Sequence, residues 1–270
     1  MQEIQLLEKK AKSDKKLFEK YDLNPFGYKV NQAKHYLVSY FSRNQLKGLA
    51  VISSSGSVSQ EEFEQSFEKL TLLNALVNQL DKEGSKRVKL EMFPFEKIRD
   101  YLRIHMKSSD IGEEEKRLSE SVLSMMMKSL DMQKELVNLF ENYNKKVEDI
   151  ISGKGYFVDE DVEEIFEIFI HFDYTQFQQV SMLHKNTDTV DRLLESTPSS
   201  KMNAEIKEYL LQFSSSEKQN MKQQLEKVAY VENQDELPEE KYKEVVRTSF
   251  LQRVESLNNK NRKLIRNNVN

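Results

Sequence analysis

Glu163, Glu167 and His171 recur at four-residue intervals, a spacing that places all three on one face of a helix. Two carboxylates and an imidazole could share a divalent metal ion, so the triplet has chemical content. It is not a His-Glu-x-x-His zinc motif, and diiron bundle sites use Glu and His three residues apart, not four. The triplet is therefore a weak metal candidate, and solvated ion pairing is its expected role.

A second group is basic. Residues 86–107 carry Lys86, Arg87, Lys89, Lys97, Arg99, Arg103 and Lys107 among Phe93, Phe95 and Tyr101. Collected on one face, the cations would contact phosphates while an exposed ring such as Tyr101 stacks on a base. Glu91, Glu96 and Asp100 alternate with these cations, which equally describes an ordinary solvated helix face. Arg262, Lys263 and Arg266 near the C-terminus could extend a basic surface, or simply keep the tail soluble.

The run "VISSSGSVSQEEF" (51–63) resembles a phosphate loop only superficially. It lacks the glycine spacing of the nucleotide loops and an adjacent lysine, and Glu61 and Glu62 would repel an anion. Ser59 and Glu62 instead have the spacing of a capping box, with Val58 and Phe63 as its hydrophobic staple.

His35, His105 and His184 have no acid or nucleophile at a telling spacing, so no catalytic constellation can be assembled from them. Cysteine is absent, which excludes thiol nucleophiles, disulfides and thiolate-held metals. Met125, Met126 and Met127 suit a helix interface better than a soft-metal site. No cofactor is implied.

These residues sit on elements whose periodicity is mostly helical. Residues 3–20 carry a weak apolar stripe, a second helical stripe starts near Val30, and 46–54 read as a short strand. From Ser59, Phe63, Phe67, Leu70, Leu73, Val77 and Leu80 share a helical face, with Gly84 expected to end it. Residues 87–93 read as a second short strand, and Pro94 starts a helix with Phe95, Ile98 and Leu102.

Beyond residue 110 the stripes lengthen. Leu118, Val122, Met126, Leu130, Leu136, Phe140, Tyr143, Val147 and Ile150 follow one helix face up to Gly153 and Gly155. Val162, Phe166, Phe169, Ile170, Phe177 and Val180 follow another from about Asp159, and the two predict an antiparallel pair. Shorter helices are expected at 189–196 and 201–213. Ser214 and Glu217 should cap a further one, and Pro238 should open a long helix bearing Tyr242, Val246, Phe250, Val254 and Leu257.

The expected fold is mainly α: a small mixed α/β and helical N-terminal domain over 1–110, joined to a helical bundle over 111–270. Seven Gly and four Pro in 270 residues are too few for a turn-rich sheet protein. The net charge of −4 hides an uneven distribution: +4 over 1–110, −10 over 111–200 and +2 over 201–270. The acidic middle would repel a polyanion, so the first expectation is a noncatalytic protein-interaction or assembly module with a charged helical surface. Nucleic-acid binding through Lys86, Arg87, Lys89, Arg99, Tyr101, Arg103 and Lys107 is the alternative, and a metal-dependent enzyme stands third. Homo-oligomerisation is compatible with the long helices. With no signal-peptide core and no membrane-spanning stretch, a cytoplasmic location is expected, unless a leader or anchor has been removed.

Overall fold

The computed structural model describes residues 60–90, 94–153, 157–198, 201–228 and 238–269. The expected strand at 46–54, the stripes before it and the Ser59 half of the capping box lie outside these residues. The described residues are mainly helical and contain no strand. Helices α1 (Gln60–Leu90), α2 (Phe95–His105), α3 (Glu113–Gly153) and α4 (Asp159–Lys185) come first. They are followed by α5 (Thr187–Ser196), α6 (Ala204–Leu211), a 3-10 turn (Ser215–Glu217), α7 (Lys218–Val228) and α8 (Glu239–Val269).

The chain divides into two compact units that interleave along the sequence. The first takes the described residues up to Lys86, Phe140–Phe169 and those from Phe250 onward. Its core follows the 3.6-residue period: Leu73, Leu76, Val77 and Leu80 of α1; Tyr143, Val147 and Ile150 of α3; Val162, Ile165, Phe166 and Phe169 of α4; Phe250 and Val254 of α8. Phe250 closes an aromatic cluster, its ring centroid 4.5 Å from Phe169 and 5.7 Å from Phe166. Such tilted rings gain more than their buried area alone provides.

Gly84 does not end α1. The helix continues to Leu90, so the 87–90 part of the expected strand is helical, while 91–93 lie outside the described residues. The reason is tertiary: Gly84 is buried, and a Cβ built on it would fall 2.6 Å from Cγ of Phe140. The glycine serves close approach of α1 and α3 rather than chain termination.

Polar side chains also tie the helices of this unit together. The Tyr143 hydroxyl donates to Asp81 Oδ1 at 2.8 Å, and Lys146 pairs with both Asp161 (3.3 Å) and Glu164. Asp161, the third residue of α4, accepts from the Val158 amide at 3.1 Å, which satisfies a donor the helix itself leaves unpaired.

The second unit holds Arg87–Leu139 and Ile170–Ser249. Its core draws on Phe95, Ile98 and Leu102 of α2, Leu118, Val122, Met125 and Met126 of α3, and Val180 of α4. It continues through Val190 and Leu193 of α5, Ile206 and Leu210 of α6, and Met221 of α7. Met125 and Met126 are thus internal packing. Where α3 meets α4, a buried polar layer interrupts the hydrocarbon. Gln179 Nε2 donates to the Ser129 carbonyl at 3.0 Å and to Ser129 Oγ at 3.3 Å, and Gln133 Oε1 lies 3.5 Å away. On α8, Tyr242 is fully buried between Tyr174 and Phe177 and donates to the buried Asp173 at 2.9 Å.

Two end signals differ from their expected form. Asn203 caps α6, its Oδ1 accepting from the Glu205 amide at 2.8 Å, so this helix starts at Ala204 rather than 201. Ser214 does not cap through its side chain; its hydroxyl donates back to the Leu211 carbonyl at 2.6 Å. The Ser215 amide is met instead by Asp191 of α5, 3.2 Å from either carboxylate oxygen.

Candidate functional site

Helix α2 is the element on which the sequence concentrates its cations, and its two faces differ sharply. Phe95, Ile98, Leu102 and His105 point into the second unit. Glu96, Lys97, Asp100, Arg103 and Ile104 lie on the solvent side, and Lys107 is exposed just past the helix end.

Most cations toward the start of that outer face already have anions. Lys97 Nζ lies 2.9 Å from Glu205 Oε1 on α6, and the Tyr209 hydroxyl donates to the same oxygen at 3.0 Å. Hydrogen bonding to Glu205 raises the Lys97 pKa, and the bonds from Lys97 and then Tyr209 lower that of Glu205. Arg99 Nε donates to Asp100 Oδ1 at 2.8 Å, with Glu96 3.8 Å away. Asp100 is held below the usual carboxylate range chiefly by that bond, with Arg103 adding to the effect. Tyr101 is not splayed toward solvent. Its ring stacks on His105, centroids 5.5 Å apart and planes 13° apart.

Under the end of α2 lies a polar clasp. His105 Nε2 is 2.8 Å from Glu115 Oε1 on α3, and Thr197 Oγ1 donates to that same oxygen at 2.9 Å. The side chains of His105 and Glu115 are both largely buried. Burial, followed by the charge of Glu115, pushes the Tyr101 pKa up, and its buried hydroxyl has no hydrogen-bond partner among the described residues. Three segments, the end of α2, the start of α3 and the residue after α5, are thereby joined at one carboxylate oxygen.

Of the remaining basic positions, Lys86 pairs with Glu83 one turn away at 3.0 Å, and Arg87 and Lys89 lie in the last turn of α1. Arg103 and Lys107 are exposed, and between them Ile104 is 72% exposed, more than any other large apolar side chain among the described residues.

The metal candidates are arranged differently from their sequence spacing. His171 Nε2 lies 2.8 Å from Glu135 Oε1 on α3, while Glu163 and Glu167 are exposed on α4. Among the described residues no three or more His, Cys, Asp or Glu gather as a metal would require. The clasp leaves no sequence signal, because His105 and Glu115 are ten residues apart across a turn, which matches no helical or strand period.

Comparison with known proteins finds no matching family, characterised protein or solved structure. Among the described residues no helix is long and apolar enough to cross a membrane.

Proposed function

We propose that this chain is a noncatalytic protein-interaction module and that the outer end of α2 is a contact surface. The observation that carries this reading is Ile104, 72% exposed with Arg103 and Lys107 beside it. Burying such a side chain in a partner is worth about 1.5–3 kcal/mol, a useful central contact for an interface. The two cations select the approach: a protein surface with an apolar socket edged by carboxylates fits, and a basic one is repelled. The clasp from His105 to Glu115 and Thr197 supports the same reading, since it holds the backbone under Ile104 in place before any partner arrives.

The nucleic-acid reading gains less from the geometry. Lys97 and Arg99 are engaged by Glu205 and Asp100, and Tyr101 offers one ring face to His105. A metal-dependent reaction gains little from His171, which meets Glu135 on a neighbouring helix.

The test is a photo-crosslinking residue placed at 104 in the host cell, with one at the exposed position 224 on α7 as control. A defined protein adduct at 104, absent at 224 and lost on Arg103→Glu, is expected. No adduct, or identical adducts at both positions, overturns the proposal. Binding to single- and double-stranded DNA and RNA at low ionic strength, reduced by Arg103→Glu, would favour the alternative.

A further inference from the structure

Helix α7 is the most lightly anchored helix of the second unit. Among the described residues, α5 buries Val190 and Leu193 there, α6 Ile206 and Leu210, α8 Tyr242 and Val246, and α2, α3 and α4 more. Helix α7 buries Met221 alone, with Leu225 half-buried against the same core, and its other side chains from Gln219 to Lys227 are exposed. An 11-residue helix of this kind is marginal in water by itself, because nucleation is costly and the helix is short. Its helical form therefore depends on staying docked.

The start of this segment is held by α5. Phe213, just before it, is anchored in the core, its ring centroid 6.3 Å from that of Phe95. Ser214 is extended, and its hydroxyl turns back to the Leu211 carbonyl, so it offers no cap to the 3-10 turn that follows. Asp191 supplies the missing acceptor: the Ser215 amide lies 3.2 Å from either of its oxygens, and the Ser215 hydroxyl also donates to it. That hydroxyl is 3.3 Å from Asp188 Oδ1, on which Lys218 Nζ closes at 3.4 Å. Two carboxylates one turn apart on α5 thus grip the 3-10 turn that leads into α7.

We infer that the 3-10 turn and α7 form a strap that opens as one piece while the rest of the second unit stays folded, with Asp188 and Asp191 as its latch and Ser214 as its hinge. Opening undocks Met221 and Leu225 and bares the apolar side chains that they cover. One buried methionine and a set of solvent-accessible hydrogen bonds oppose this, whereas global unfolding must expose the whole core. A ligand or partner that engages the two aspartates would shift the balance toward the open form.

Amide hydrogen exchange of the full chain, read by mass spectrometry, compares peptides spanning 219–227 with peptides spanning 118–136 of α3. After correction for intrinsic rates, the α7 amides are expected to exchange at least about 100-fold faster than the slowest α3 amides. Their rate should barely change in low urea, whereas the α3 rate rises, because the strap exposes little surface when it opens. Asp191→Ala should raise the α7 rate by about tenfold and Ser215→Ala by about threefold, with the α3 rate unchanged in both. Circular dichroism melts check that both variants fold. Exchange in α7 as slow as in α3, or α7 rates that neither substitution moves, overturns the inference. Equal acceleration of both sets of peptides overturns it too, since the strap would then open only with the whole unit.

Discussion

Gly84 of α1 lies against the face of Phe140 on α3, so closely that a methyl group at position 84 would occupy space the ring already fills. Phe140 is itself buried and has little room to swing aside. On an exposed helix surface, replacing glycine by alanine would stabilise by about 1 kcal/mol. Here Gly84→Ala should destabilise by about 1–3 kcal/mol, because overpacking outweighs helix propensity. Urea unfolding of Gly84→Ala, Phe140→Leu and the double variant checks this: the double should be more stable than the sum of the singles predicts.

The Tyr143 hydroxyl is buried and donates to Asp81, so its pKa stands well above the ordinary value, first through burial and then through the Asp81 charge. In the unfolded chain the phenol ionises near its usual pKa of about 10. Above that pH the unfolded chain binds fewer protons than the folded one, and stability falls as pH rises toward the folded-state value. Tyr143→Phe should cost about 1–3 kcal/mol at neutral pH and flatten the alkaline loss of stability. Denaturant midpoints between pH 8 and about 11 measure both effects.

The clasp at Glu115 is expected to act as one unit. Glu115→Ala removes the acceptor shared by His105 and Thr197 and should cost about 2–4 kcal/mol, whereas Thr197→Val should cost about 1 kcal/mol. A cycle between His105→Ala and Glu115→Ala should show a coupling clearly above the additive error of about 0.5 kcal/mol. Additive losses in urea unfolding would mean that the contact contributes little.

Ile104→Glu should separate binding from folding. Its side chain is mostly in water, so stability should change by no more than about 0.5 kcal/mol. Capture of the partner identified by crosslinking at 104 should fall by about tenfold or more. Calorimetric melting and a quantitative binding titration on the same preparations decide it.

Helix periodicity makes much of this fold legible. The expected stripes on α3, α4 and α8 correspond to buried Val122, Phe140 and Val147, Phe166 and Phe169, and Tyr242, Val246 and Phe250. The failures share a cause: a local rule is answered by a distant residue. Gly84 reads as a stop because the sequence does not reveal Phe140 above it. Ser214 reads as a cap, yet Asp191 takes the adjacent amide from 24 residues away. Spacing pairs His171 with Glu167 one turn behind, yet its partner Glu135 is 36 positions earlier. At the candidate site, the sequence points to the α2 cations but not to which carry partners, since Glu205 is 108 residues from Lys97. Ile104 does carry a periodic signal: two residues beyond Leu102, it falls about 200° around the helix, off the Phe95–Ile98–Leu102 stripe.

The amide layer of Gln179, Ser129 and Gln133 has a mechanical consequence. Sliding α4 past α3 by one turn, about 5.4 Å, would part the Gln179 carboxamide from the Ser129 carbonyl and hydroxyl that it now meets. Inserting a single residue beside the layer in either helix would rotate the remainder of that helix by about 100° and break the match. The two rods are therefore indexed, like a key cut for one depth.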